Sequence, residues 1–410
     1  MGRIAGRFAR YEPRLRAGRL VLGLLSDLPR KNCWTIAEWA GGASLHGMQH
    51  LLWRAIWDAD AVRDGVRECV VEHLHDEAAM LVVDETGDVK KGTHTVGVHR
   101  QYTGTAGRIE NSQVAVYLYA GVQGHAAVDR ELYIPRSWTC DPDRCRVPGL
   151  GEDTAFATKP ELARTMIERF LDAGHHVGWV TEDEVYGGNP KLRAALEERG
   201  VGHVLAVACS AKVTTRAGKF RADVLSAKVP KRAWQKLSAG RGAKGQRFYD
   251  WAVIALAEPA PGRRQLLIRR NRTTRELAYY RCFSPRPVPL TELVRVAGSR
   301  WRVEETFQAE KGLAGLDEHQ VRRYPSWTRW VTLAMFAHAF LAVARADEHA
   351  RHPGPADLVP SCNEIQRLFI TAVVQPLHDM AHRIGWSHWR RRHQARSRTS
   401  HYRRQAATQT

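Results

Sequence analysis

After residue 76 the chain alternates between two hydrophobic periods, and this alternation limits the fold more than any other feature. AAMLVVDETG, SQVAVYLYAG (112–121), HHVGWVTEDEVYGG (175–188) and GHVLAVAC (202–209) carry short runs of β-branched, aromatic and other apolar residues. Such runs read as strands covered on both faces. Between them, TKPELARTMIERFLDAG (158–174) and PKLRAALEERG (190–200) repeat apolar positions every three or four residues, the period of a helix with one buried face. Thr158 stands at the N-cap of the first, Pro160 in its opening turn, and Leu162, Met166, Ile167, Phe170 and Leu171 along its stripe. Gly200 closes the second. Strands that alternate with helices call for an α/β sheet with parallel members.

The flanking segments read differently. Residues 1–75 are helical, and TIAEWAGGASLHGMQHLLWRAIW splits into two pieces around Gly41-Gly42, with Thr35 and Ser44 placed to cap them. Two short helices across a tight glycine turn are either plain structure or a helix-turn-helix that holds DNA. Residues 211–289 form a β-rich insertion, in which RFYDWAVIALAE, RQLLIRRN and ELAYYRCFS read as successive strands with no helix between them. Helical patterns return at LTELVRVAGSRWRVEETFQAEKGL and continue past residue 345. The expected organisation is a helical N-terminal DNA-binding region (1–75), an α/β core in two pieces (76–210 and 290–345), the insertion (211–289) and a helical, basic tail (346–410). The end of that tail, HWRRRHQARSRTSHYRRQAATQT, is expected to fray.

Composition narrows the partners. The 410 residues suffice for a large core, and 44% of them are hydrophobic, as in a globular chain. Lys and Arg number 62 against 43 Asp and Glu, a net charge of +19, which calls for a polyanion, nucleic acid first. The cysteines, Cys33, Cys69, Cys140, Cys145, Cys209, Cys282 and Cys362, are scattered and form no CxxC pair. This argues against a disulfide framework or a zinc module and for a reducing, cytosolic compartment. The basic N-terminus lacks the apolar core of a signal peptide. WVTLAMFAHAFLAVA (330–344) is short for a membrane span and contains His338, so it reads as a buried core helix, with no membrane expected. HExxH, GxGxxG and GxxxxGK[ST] are absent, which leaves zinc-protease and nucleotide-driven chemistry without support.

Three carboxylates are placed for chemistry. Asp84 reads as the end of one buried strand, Asp183 as the end of another, and Glu304 lies in SRWRVEETFQAEKGL (299–313), which reads as one helix. In an α/β sheet, ligands gather at the carboxyl ends of strands. A carboxylate partly withdrawn from water needs a compensating charge, and a divalent cation with hard oxygen ligands supplies it. Two such ions about 4 Å apart activate a water and stabilise a departing 3′ oxygen. Arg300, Glu304, Phe307 and Lys311 fall at nearly one angular position of the helix. Val303 and Phe307 would press on the sheet, Glu304 would bind metal, and Arg300 and Lys311 would hold DNA phosphates. The plain alternative is an i,i+4 ion pair between Arg300 and Glu304.

Further DNA contacts are expected from Lys90 and Lys91, just past the Asp84 turn, and from Arg108 in QYTGTAGRIEN (101–111), which otherwise reads as a hairpin turn. LLIRRNRTTRE in the insertion is basic enough to track a backbone. Trp234 and Trp251 are either core residues or stacking platforms for an unpaired base.

Across roughly residues 20–345 the chain resembles the DDE transposases of bacterial insertion sequences, which have a ribonuclease-H-like core. The resemblance is carried by LVVDETGDVKKGTHTVGVHRQYTGTAGRIENSQVAVYLYAG, RELYIPRSW, FATKPELA, WVTEDEVYGG and AGSRWRVEETFQAEKGLAGLDEHQVRR. One cut-and-paste branch carries a Tyr-x2-Arg-x3-Glu-x6-Lys signature. Arg300, Glu304 and Lys311 match its last three members at the right spacing, while Ala297 holds the tyrosine position. The resemblance implies a ribonuclease-H-like mixed sheet flanked by helices, with a β-rich insertion between the second and third acids and helical N- and C-terminal parts. It assigns Asp84, Asp183 and Glu304 as catalytic metal ligands. It further implies two Mg2+ ions, with Mn2+ as a substitute, double-stranded DNA as partner, a homodimer on that DNA, and a cytoplasmic, nucleoid-associated location. Strand alternation turns Glu182 and Glu184 away from the side Asp183 faces, and Glu305 lies about 100° from Glu304 on the helix. The rival readings are a stand-alone metal-dependent nuclease or resolvase, and a DNA-binding regulator with a decayed core.

Overall fold

The computed structural model describes every residue except 77–78, 122–124, 243–244, 258–259, 353–358, 374–379 and 410. Its framework is a long mixed sheet organised around β1 (Met80–Val89). β1 pairs antiparallel with β3 (Arg108–Gly121), whose far edge carries β2 (His99–Thr103) and then β4 (Ala126–Leu132). On its other side β1 pairs parallel with β5 (Trp179–Glu182), and β5 pairs parallel with β6 (Gly202–Val207). The parallel pairs are those expected from alternating strands and helices.

The β-rich stretch 211–289 is no body apart. β12 (Leu277–Ser284) pairs antiparallel with β6, and β11 (Arg263–Arg270), β10 (Gly245–Ala255) and β9 (Gln235–Gly242) continue the same sheet outward. A small hairpin, β7 (Lys212–Thr215) and β8 (Gly218–Arg221), leads into α10 (Ala222–Ala227), which covers the extension with Ala222 and Leu225 against Leu266 and Ile268. At six residues, this helix is too short to show a period, so it is absent from the sequence reading.

Helices cover both faces. On one face α1 (Tyr11–Leu25), α2 (Cys33–Trp39), α3 (His46–Trp53), α11 (Leu290–Ser299), α12 (Trp301–Ala314) and α13 (Tyr324–Arg351) share an apolar cluster with Val82, Tyr117, Tyr119 and Trp251. On the other, α4 (Ala59–Leu74), α7 (Lys159–Asp172), α8 (Glu184–Gly187) and α9 (Pro190–Glu198) pack on Leu81, Val83, Val116 and Leu118. Neighbouring residues of β1 thus belong to opposite cores, as the pleat requires. The mixed sheet flanked by helices is the expected fold class. α5 (Arg136–Thr139) and α6 (Pro142–Arg146) are short turns between β4 and α7.

Some local expectations hold and others need correction. Thr35 does not cap α2: the Asn32 side chain accepts from Trp34 N–H and Thr35 N–H, and the Thr35 hydroxyl accepts from Asn32 N–H as the third member of a capping box. The helices of 1–75 are packed into the body, since Leu20, Leu24, Ile36 and Leu51 share one cluster with Trp330 and Met335. α13 has the length and hydropathy of a membrane span, yet 72% of its most apolar window is buried inside the protein, as a core helix should be. After α14 (Cys362–Ala372), the basic end of the chain forms α15 (Met380–Gln409) where fraying was expected. Trp386 and Trp389 pack α15 against Trp34.

Candidate active site

Asp84 does not end its strand. β1 runs five residues further because Glu85 to Val89 keep their antiparallel partners on β3, Val116 to Ser112. The parallel partner is what ends: β1 and β5 last pair at Val82 and Thr181. Two residues beyond that point on each chain lie Asp84 and Asp183, so a notch opens beside β1 with a carboxylate on either wall. Asp183 caps α8, its Oδ1 accepting from Val185 N–H at 2.8 Å. Asp84 Oδ1 likewise accepts from Glu85 N–H at 2.8 Å. Each carboxylate is oriented through one oxygen and presents the other, Oδ2, to the notch.

A cation already stands there. Arg300 Nη2 lies 3.4 Å from Asp84 Oδ2 and 3.5 Å from Asp183 Oδ2. Arg300 sits at a break that the sequence does not show. The 299–313 segment is not one helix: α11 ends at Ser299 and α12 begins at Trp301. The Gly298 carbonyl accepts from Arg247 Nη2 at 2.9 Å, and Gly298 lies so close to β9 that an added Cβ would stand 2.1 Å from the Ala239 carbonyl oxygen. The interruption is slight, since Arg300 keeps right-handed helical angles (φ −54°, ψ −34°), and its side chain reaches both acids from there. Burial is the main influence on Asp84 and pushes its carboxyl up to about 6, with the Arg300 guanidinium pulling it back.

α12 then crosses the sheet as anticipated. Val303 is buried, and the Phe307 ring meets Tyr117 and Tyr119 edge-on at 5.5 and 5.1 Å. Tyr117 is the cross-strand partner of Asp84. Glu304, one turn past Arg300 and one turn before Phe307, is exposed and makes no hydrogen bond or ion pair among the described residues. Lys311 Nζ stands 3.5 Å from Thr105 Oγ1 and 4.0 Å from Asp317. The ordinary Arg300–Glu304 ion pair is not formed; Arg300 pairs with the two aspartates instead.

The other expected DNA contacts scatter. Lys91 is exposed. Lys90 is half-buried, with Nζ 3.7 Å from Asp88 and 3.4 Å from the His319 carbonyl. Arg108 is exposed at the β2–β3 turn and pairs with Glu110 at 2.8 Å. Trp251 is wholly buried, so it is a core residue and not a stacking platform. Trp234 lies under the Arg270 guanidinium at 4.0 Å. Glu182 is wholly buried, next to Asp183 in the chain, and neither oxygen has a partner among the described residues; burial pushes it far above the usual carboxylate range.

Two supporting networks escape the motif reading. Behind β1, Glu85 accepts from Lys159 Nζ at 2.6 Å and from the Tyr186 hydroxyl at 3.0 Å, tying α7 and α8 to the strand that carries Asp84. Behind α12, buried Glu310 accepts from the Tyr119 hydroxyl at 2.7 Å and lies 3.3 Å from His338 Nδ1. Burial opposes charge on His338, but Cys362 and Glu310 outweigh it and raise the imidazole to about 9. Glu310 had a sequence signal: it falls on the Val303/Phe307/Ala314 stripe, where a charge has no place without a buried partner.

The donor set fits a hard divalent cation in part. Two carboxylate oxygens converge on one positive group, here a guanidinium nitrogen. Among the described residues no three His, Cys, Asp or Glu side chains stand close enough to cage a metal ion, so Glu304 would complete the set only from its own place along α12.

A sequence profile described as DDE superfamily endonuclease matches residues 5–271, well over half of the chain. The chain belongs to the DDE superfamily endonucleases. The match includes Asp84 and Asp183 and stops before α12. The probable transposase for insertion sequence element IS701 of Microchaete diplosiphon is 32% identical over 190 residues. That stretch is 46% of this chain and 47% of the relative, so this DDE endonuclease spans about half the length of the curated relative it matches. Among solved structures, the cryo-EM piggyBac transposase synaptic complex with hairpin DNA aligns with a TM-score of 0.45 and 11% identity, covering 92% of this chain and 76% of that one.

Proposed function

We propose that this DDE endonuclease is the transposase of a bacterial insertion sequence, cleaving DNA at the element's ends and joining them to a target. One observation carries the reading: Asp84 and Asp183, far apart in sequence, turn their free oxygens toward a single cation between them. The name of the Microchaete relative and the Arg300-Glu304-Lys311 spacing agree with it.

Asp84, Asp183 and Glu304 would hold two Mg2+ ions, or Mn2+ in their place, and the bound ions would supply the Lewis acid that phosphodiester cleavage requires. Arg300, released from the aspartates, takes a phosphate in bidentate fashion, and Lys311 adds a point charge two turns further. Lys91 and Arg108, both exposed, reach the duplex on either side, with half-buried Lys90 holding the loop. The working form is a homodimer on double-stranded DNA, in the nucleoid and away from membranes.

Purified protein, a duplex bearing the element's own inverted repeat, and Mg2+ make the test. Wild type should nick the duplex and yield strand-transfer product. Asp84→Asn, Asp183→Asn and Glu304→Gln should each lower cleavage by roughly a thousandfold or more, the scale of losing electrostatic stabilisation of a transition state, with duplex binding kept. Nicking without transfer would leave a nuclease. Unchanged cleavage in the Asp84 variant would end the proposal.

A further inference from the structure

The strongest unexplained surface lies away from the acids, on α3. Its inward side buries Met48, Leu51 and Leu52. Its other side carries His46, Gln49, His50 and Trp53, at the spacing of one helical face. These four line a cleft of about 800 Å³ with Arg54, Arg322 and Arg323, and no Asp or Glu lines it. The Arg323 guanidinium stacks on Trp53 at 3.9 Å. Among the described residues no carboxylate pairs with Arg54, Arg322 or Arg323.

α15 adjoins this face. Trp386 Nε1 donates to the Gly42 carbonyl at 2.7 Å, in the turn between α2 and α3. The Trp389 ring meets Trp34 at 4.8 Å and His46 at 6.3 Å, and Arg390 pairs with Glu38. One end of the basic helix is thereby fixed to the helix pair. Beyond His393 the helix leaves the body, and its described side chains are exposed. At 1.5 Å per residue this arm is about 24 Å long. From Met380 to Gln409 there is no Asp or Glu, while WRRRHQARSRTSHYRR (389–404) is dense in arginine. A helix polar all round with like charges a turn apart has little stability of its own. A polyanion laid along it removes that repulsion.

We propose that α3 and α15 form one docking surface for duplex DNA, which deepens the transposase reading and rests on it. The exposed His46, Gln49 and His50 of α3 enter the major groove, whose width admits a helix, while Trp53, half-buried under Arg323, braces α3 from behind. Arg54, Arg322 and Arg323 take the flanking phosphates, and the α15 arm follows the backbone outward. Duplex RNA fits this surface poorly, because its major groove is too deep and narrow for side chains to read. The chain leading to Arg322 and Arg323 passes His319, 3.2 Å from Asp88 on β1, so the surface connects directly to the catalytic face.

Fluorescence anisotropy on the full chain, across a salt series, tests this with the element-end duplex, a scrambled duplex, duplex RNA and single strands as probes. Arg396→Glu/Arg398→Glu/Arg403→Glu changes only exposed positions of the arm, so its circular dichroism should match wild type. It should weaken binding to both DNA duplexes by roughly tenfold or more and flatten the salt slope by about 0.9 for each phosphate the arm no longer neutralises. Gln49→Ala/His50→Ala should erase the preference for the element end and leave the slope unchanged. Wild-type binding by both variants would overturn the proposal, as would a larger loss on RNA or single strands than on duplex DNA. Cleavage by Asp84→Asn, measured alongside, keeps the two readings apart. Loss of cleavage there with normal binding by the arm and α3 variants rejects this surface alone. Unchanged cleavage there with weakened arm-variant binding rejects the transposase reading and keeps the surface.

Discussion

At Asp84 the demands of stability and chemistry oppose each other. Burial raises its carboxyl to about 6, from an ordinary value of 3.8. A folded-state pKa above the unfolded one means that stability is fully present below the unfolded value and is lost as pH rises through the folded value. Without metal, then, the protein forfeits stability between about pH 4 and 6 because of this group. Asp84→Asn should stabilise the metal-free protein by about 3 kcal/mol at pH 7 and by little at pH 4, as read by urea denaturation at the two values. Equal gains at both would remove desolvation as the cause. Arg300 makes a second prediction. It occupies the place between the aspartates that a cation would take, so Arg300→Ala should bind Mn2+ several-fold more tightly by electron paramagnetic resonance while weakening DNA binding. Unchanged Mn2+ affinity would mean that guanidinium and metal do not compete.

At the scale of elements, α12 is positioned by contacts on both sides of its break. Gly298→Ala places a methyl against the Ala239 carbonyl oxygen at 2.1 Å, and backbone cannot give way as a flexible side chain can. α11 should be forced off β9, with a fall in melting temperature and loss of cleavage; a normal melt with normal cleavage would show that the close approach is dispensable. Behind the helix, Glu310 joins β3 to α13 through Tyr119 and His338. Glu310→Ala leaves a buried imidazole without its counter-charge and should cost about 3–5 kcal/mol. The pH dependence has a definite sign. The His338 value of about 9 exceeds its ordinary 6.5, so this stabilisation is complete below pH 6.5 and is lost as pH rises to 9. Glu310→Gln should flatten the stability profile across that window, as chemical denaturation at stepped pH would report.

For the whole molecule, the net charge of +19 sets the terms of association. Duplex affinity should fall steeply and linearly in log salt, since the driving force is counterion release. A shallow slope would contradict a phosphate-dominated interface. EDTA should abolish strand breakage and leave binding in place. Arg54, Arg322, Arg323 and the arginines of the arm belong to distant stretches of the chain, and the contact of Trp34 with Trp389 ties the arm to the helix pair.

Local pattern sufficed for much of this. The period of α7, its Thr158 N-cap, the buried runs of β1, β3, β5 and β6, and the Arg300-Glu304-Lys311 spacing depend on neighbours within a few residues. The motifs around Asp84 and Asp183 also marked them as residues to look for together, and Arg300 stands within 3.5 Å of both. Three features were not legible. Asp84 lies in the middle of its strand because β3 outlasts β5 as its partner. The helix is interrupted at Arg300, two residues after Gly298, which touches Arg247 and Ala239. The insertion joins the main sheet because β12 finds the edge of β6. Residue type and spacing dictate period, caps and charge, since these are set by short-range sterics and solvation. Strand ends, helix breaks and sheet membership depend on hydrogen-bond partners distant in the chain, which only the tertiary structure supplies.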